Sequence, residues 1–165
     1  MKKIGFYIET PAEKELSVYQ SIYIFYNGED KCLASIGGGG DCFLRIGCAY
    51  VGLSFDAKSG RIGEVSDLLG ELKKIKRRCL SKPRNYTEKI LCVKSGETFV
   101  PGAVYNINID SIILYDSANN ILQLGQFNPN LVAYKFLKNA YAQLTDDGQL
   151  IGILLTDISD EKIYQ

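Results

Sequence analysis

Tyr141-Ala142-Gln143-Leu144-Thr145-Asp146-Asp147-Gly148-Gln149-Leu150-Ile151-Gly152-Ile153-Leu154-Leu155 decides how this chain is read. Two apolar runs, Tyr141 to Leu144 and Leu150 to Leu155, flank Asp146-Asp147-Gly148. Asp-Gly is a favoured tight-turn pair, and branched or aromatic residues on either side suit a pleated surface. The stretch predicts a β-hairpin. Upstream the same grammar recurs, with short apolar runs broken by turn residues roughly every eight to fifteen residues.

Working back from that hairpin, residues 131–139 read equally well as a short helix or a strand. Ile121 to Leu124 returns from a turn at Asp116 to Asn120, and Val104 to Tyr115 alternates apolar and polar positions. Lys89 to Val93 predicts a strand, and Ser95-Gly96 a turn. Asp56 to Gly60 predicts a hairpin turn with Arg61 to Val65 as its return, and Cys42 to Phe55 resumes a β pattern bent at Gly47 or Gly52. Ile4 to Ile8, Val18 to Tyr26 and Lys31 to Ile36 predict strands nearer the start. Ser66 to Leu80 is the helix candidate, because Leu68, Leu69, Leu72, Ile75 and Cys79 fall on one 3.6-residue stripe. Asp67 and Glu71 near its start and Lys76 to Arg78 near its end would complement the helix dipole.

The expected fold class is therefore α+β: a mainly antiparallel β-sheet of hairpins with one amphipathic helix near residues 66–80. The expected domain is single, 1–165. It carries a weak internal repeat, about 50–66 and 110–126, because an aromatic residue and an aspartate open the turn in both (Phe55-Asp56 and Tyr115-Asp116). An aspartate in that place hydrogen-bonds its own loop.

Composition narrows the function. The 165 residues are 46% hydrophobic with eleven tyrosines and seven phenylalanines, enough for a core and against disorder. Nineteen basic residues balance nineteen acidic ones, which makes nucleic acid an unlikely partner in general. Charge is uneven along the chain: residues 67–89 carry eight basic and three acidic residues, and residues 105–165 carry seven acidic and three basic. The five cysteines have no zinc or redox spacing and read as small buried hydrophobes in a reducing compartment. Met1-Lys2-Lys3 is followed by no apolar signal region, and no run of about 18 apolar residues occurs, so a cytoplasmic protein without a membrane partner is expected.

Histidine is absent. That removes the usual general base and the commonest metal ligand, and with them Ser-His-Asp and Cys-His machinery. No cofactor, metal or catalytic residue is expected. Gly37 to Gly40 precedes Asp41, Cys42 and a strand, whereas a phosphate loop needs Lys and Ser or Thr at a helix start. The expectation is a mobile loop, with Gly38, Gly39 and Asp41 as candidate partner contacts. Asp146-Asp147-Gly148 lacks the twelve-residue calcium-loop pattern and reads as a turn. The basic run Lys73 to Arg78 could meet phosphate and reads more simply as a solvated helix face.

Two hairpins carry a resemblance: Ser54-Phe55-Asp56-Ala57-Lys58-Ser59-Gly60-Arg61-Ile62, and Leu144-Thr145-Asp146-Asp147-Gly148-Gln149-Leu150-Ile151-Gly152-Ile153. In these, and in its size, the chain resembles the small single-domain immunity proteins found beside bacterial polymorphic toxins. The resemblance implies a non-enzymatic inhibitor that binds another protein, a toxin domain. If the acidic C-terminal third is the contact, that domain is basic, and Asp146, Asp147, Asp157 and Asp160 are the candidate contacts. The alternative class is a small-molecule-binding or enzymatic domain using the glycine loop, tyrosines and carboxylates such as Asp41.

Overall fold

The computed structural model describes residues 3–47, 51–67, 70–109 and 112–158. In chain order the elements are β1 (Ile4–Glu9), α1 (Glu13–Gln20), β2 (Tyr23–Asn27), β3 (Cys32–Ile36), β4 (Cys42–Ile46), β5 (Val51–Phe55) and β6 (Ile62–Asp67). A 3₁₀ turn at Leu72–Lys74 leads to β7 (Lys76–Arg77), β8 (Tyr86–Glu88), β9 (Ile90–Ser95), β10 (Val104–Ile107) and β11 (Ile113–Asp116). Then come β12 (Ile121–Gly125), β13 (Ala133–Leu137), β14 (Ala140–Leu144) and β15 (Leu150–Leu155).

The strands form a six-stranded sheet, β10-β4-β5-β6-β3-β2, and a seven-stranded sheet, β7-β11-β12-β15-β14-β13-β8. β1 and β9 make a separate antiparallel pair. Most pairs are antiparallel, but β10 with β4, β11 with β7 and β13 with β8 run parallel, so the sheets are mixed. The predicted hairpin pairs β14 with β15 across the Asp146-Asp147-Gly148 turn.

Strand alternation puts Leu122, Ile153, Leu155, Ala140 and Ala142 on one face of the larger sheet. There they join Ile24, Leu44, Leu53, Phe55, Ile62, Leu91 and Phe136 in the main core. Their neighbours Ile121, Tyr141 and Leu154 point the other way and pack with Leu80, Leu114 and Ala133 in a second, smaller cluster. Both faces of the larger sheet thus carry apolar packing.

Two sets of contacts join the sheets. The β1–β9 pair is one: Val93 N–H donates to Gly60 O at 2.8 Å, and Phe6 N–H donates to Gly148 O at 2.8 Å. The other is the outer edge of β2 and the residue before it, where Tyr26 N–H donates to Ile158 O at 2.6 Å and Lys138 N–H to Ile22 O at 2.9 Å. Among the described residues no helix is long and apolar enough to cross a membrane.

The helix expected near 66–80 does not form. Ser66 ends in β6, Leu72–Lys74 is a single 3₁₀ turn, and Lys76–Arg77 is an edge strand. Leu68 and Leu69 lie outside the described residues. The physical reason is at Gly70, whose φ of 74° leaves the helical region. Gly70 N–H donates to Lys31 O at 3.0 Å and its carbonyl accepts from the Tyr26 hydroxyl at 2.6 Å. Glu71 lies beside Lys31, Lys73 and Lys74 instead of serving a helix start. The α-helix that does form, α1, overlaps the start of the expected strand Val18 to Tyr26, which begins only at Tyr23. Residues 131–139 resolve to strand β13 and the turn after it.

Candidate partner-binding groove

The β14–β15 turn meets β1 edge-on. Gly148 adopts φ 83°, and a Cβ there would sit 2.7 Å from Phe6 O, so only glycine allows both the turn and the contact. Gly148 N–H donates to Thr145 O at 3.0 Å, and Gln149 N–H to the Thr145 hydroxyl at 2.9 Å. The Thr145 hydroxyl also makes a very short hydrogen bond with the Asp147 carboxylate. That donation, with a smaller contribution from the charge of Lys3, holds the Asp147 carboxyl below its ordinary range, so it is anionic at neutral pH.

Between this turn and β1 runs an open groove of about 620 Å³. It is lined by Phe6, Tyr7, Ile8 and Tyr134 together with the exposed Lys94, Asp146 and Asp147. A second depression of about 380 Å³ shares Lys94 and Asp147 with it and adds Lys3, Ser95 and Gln149. Lys94 Nζ lies 5.9 Å from the centroid of the Tyr7 ring, within range of a cation–π contact. Tyr7 donates its hydroxyl to Ser59 O at 3.3 Å, and burial, then the neighbouring Cys92, pushes its phenol upward. Cys92 is buried beneath, its thiol pushed up to about 11 by burial, which leaves it a packed hydrophobe and not a nucleophile. The groove offers aromatic surface ringed by charges of both signs.

The sequence candidates divide among three places. Asp146 and Asp147 stand together on this groove, both exposed. Asp157 sits at the β2 seam in a left-handed conformation, φ 50°, with its carboxylate 3.4 Å from Lys82 Nζ. Its carbonyl accepts from the Tyr23 hydroxyl. Asp160 lies outside the described residues. Gly38, Gly39 and Asp41 belong to the β3–β4 connection.

That connection is packed on its backbone side. Gly39 N–H donates to Gly63 O at 3.1 Å. A Cβ on Gly38 would lie 2.0 Å from Gly63 O, and one on Gly40 would lie 2.5 Å from Phe55 N. The glycines therefore let the connection lie against β5 and β6. Asp41 Oδ1 accepts from Ala57 N–H at 2.7 Å and its carbonyl from Gly102 N–H at 2.6 Å, so Asp41 ties two loops together.

Tyr7, Lys94 and Tyr134 were not singled out by sequence, because each belongs to a different strand. The only cue was the half-apolar alternation of β1. Asp56 and Asp116 do bind their own turns. Asp56 accepts from Ser59 N–H at 2.8 Å, and Asp116 from Ala118 and Asn119 N–H at 3.0 Å each. Their hairpins, β5–β6 and β11–β12, lie in different sheets. Among the described residues no three Cys, Asp or Glu side chains come together as a metal site. No family model matches the chain, and no curated protein matches it significantly.

Proposed function

We propose that this protein works by binding another protein rather than by catalysis, as an inhibitor of the immunity type, and that the groove between β1 and the β14–β15 turn receives the partner. The observation that supports this reading is one groove lined by Asp146, Asp147 and Lys94 together with Tyr7 and Tyr134, Lys94 lying over the Tyr7 ring. Tyrosines bury area while keeping a polar tip, which is why they are enriched at interfaces. Fixed charges of both signs set orientation and register more than raw affinity. The partner surface that fits presents a cation to the two aspartates and a carboxylate or carbonyl to Lys94. A toxin domain with a basic contact surface meets the first requirement.

The test is neutralisation. A candidate toxin domain with a basic contact surface is expressed with and without the protein, and its toxicity is measured. Protection is expected from the wild type and is expected to fall with Asp146→Lys/Asp147→Lys. Equal protection by that variant removes the groove from the interface, and turnover of a small substrate by the purified protein overturns the binding reading.

A further inference from the structure

The two large sheets end in four terminal strands, and three of these are guarded. The outer edge of β2 is covered by Ile158 and Asn139. β7 is Lys76–Arg77, followed by Arg78, and β8 contains Glu88 with Lys89 beside it. Charges on an edge strand are the usual protection against pairing with another chain. β10 has none: Val104-Tyr105-Asn106-Ile107-Asn108-Ile109 is uncharged throughout.

The backbone of β10 is also open. Phe43 N–H donates to Ala103 O at 3.1 Å and Gly47 N–H to Ile107 O at 2.7 Å, so residues 103, 105 and 107 turn their peptides toward β4. By strand alternation Val104 and Asn106 turn theirs outward, and Asn108, one residue past the end of β10, continues the alternating exposure. All three are exposed, and no donor or acceptor among the described residues meets their peptide groups. Tyr105, Ile107 and Ile109 pack into the core and hold the strand extended.

We propose that this edge pairs antiparallel with β10 of a second copy, about a two-fold axis through Asn106. In that register Asn106 lies opposite the same residue of the second copy, and Val104 lies opposite Asn108. Every outward peptide then meets another outward peptide, giving about six hydrogen bonds. The solvent-face side chains brought together are neutral, and Val104, 52% exposed, is partly covered. Among the described residues, Arg45 carries a fixed charge one strand inward, opposite Asn106. The two copies of Arg45 stand three strand spacings apart, about 14 Å, beyond the roughly 8 Å screening length at physiological salt. A single strand pair buries less than the roughly 1,200 Å² of a stable interface, so the dimer is weak, with Kd between about 10 μM and 1 mM.

Sedimentation equilibrium across that range tests it, with amide exchange at low and high protein concentration. The expected result is a mass rising from 18.3 kDa toward twice that, with Val104, Asn106 and Asn108 amides slowing as concentration rises. Asn106→Lys puts like charges directly opposite, and Asn106→Pro removes the outward N–H at an edge position where proline is tolerated. Each is expected to weaken dimerisation tenfold or more, on the order of 1.4 kcal/mol, while the monomer's thermal melt stays in place. A monomer at every concentration overturns the proposal, as does a dimer that both variants leave intact.

Discussion

Asn139 is 4% exposed and works as a piece of β-ladder made from a side chain. Its Oδ1 accepts from Ile24 N–H at 2.8 Å, and its Nδ2 donates to Ile24 O and to Thr156 O, each at 2.6 Å. It therefore pairs the edge of β2 with the chain leaving β15. Asn139→Ala strands one buried N–H and weakens two carbonyls in a space that apolar neighbours fill. An orphaned buried group costs about 1–3 kcal/mol, the N–H at the upper end and carbonyls with other lone pairs at the lower, so the loss should be about 3–5 kcal/mol. Against a total stability of about 5–15 kcal/mol, that lowers Tm by roughly 6–20 °C for a domain of this size. Urea unfolding followed by far-UV circular dichroism measures it; the chain has no tryptophan to report by fluorescence. Asn139→Asp keeps the acceptor but sets a carboxylate against two carbonyls, and should be no better than alanine. A loss under about 1 kcal/mol for Asn139→Ala at unchanged m-value would refute the claim that this side chain joins the sheets.

Gly63→Ala brings a Cβ to 2.4 Å from Gly39 O, so β6 and the glycine connection must separate; a loss of about 1–3 kcal/mol is expected in the same assay. Gly96→Ala, which meets nothing within 4 Å, is the neutral control. Asp116 accepts from Leu80 N–H at 2.8 Å, and that bond, followed by those from Asn119, holds its carboxyl low. A lowered carboxyl stabilises fully above the unfolded value of about 3.9, and the contribution disappears as pH falls through the folded value. Tm of the wild type should therefore drop more steeply below about pH 4 than that of Asp116→Asn. At about pH 8 iodoacetamide should label the exposed Cys79 and spare Cys92 until the protein unfolds, because burial keeps the Cys92 thiol protonated. Mass spectrometry of the labelled peptides reads the outcome.

Hairpins were legible in the sequence because their information is local. Asp147-Gly148 and the aspartates at 56 and 116 set their own turns, and the alternation of β1 or β10 needs no partner to be seen. The helix was misplaced for the opposite reason. The stripe from Leu72 through Ile75 to Cys79 has helical spacing, yet Gly70 is held by Lys31 and Tyr26 from elsewhere in the chain. The helix α1 buries no residue, and Val18 on it is 60% exposed, so it has no apolar stripe to recognise. It is held by long-range contacts, Glu15 with Arg61 at 3.0 Å and Gln20 Nε2 donating to Lys135 O at 2.7 Å. The groove was half legible. Asp146 and Asp147 are adjacent in sequence, whereas Lys94, Tyr7 and Tyr134 join them only through the crossing of β1, β9 and β13.

The central claim is that a protein partner docks in the groove between β1 and the β14–β15 turn. Amide exchange of this protein, free and bound to a toxin domain that it is shown to neutralise, tests that most directly. Slowed exchange is predicted along residues 6–8 and 144–149 and at Lys94, with little change in the glycine connection at 37–40. Tight binding that leaves those segments unprotected, and protects another face instead, would contradict it.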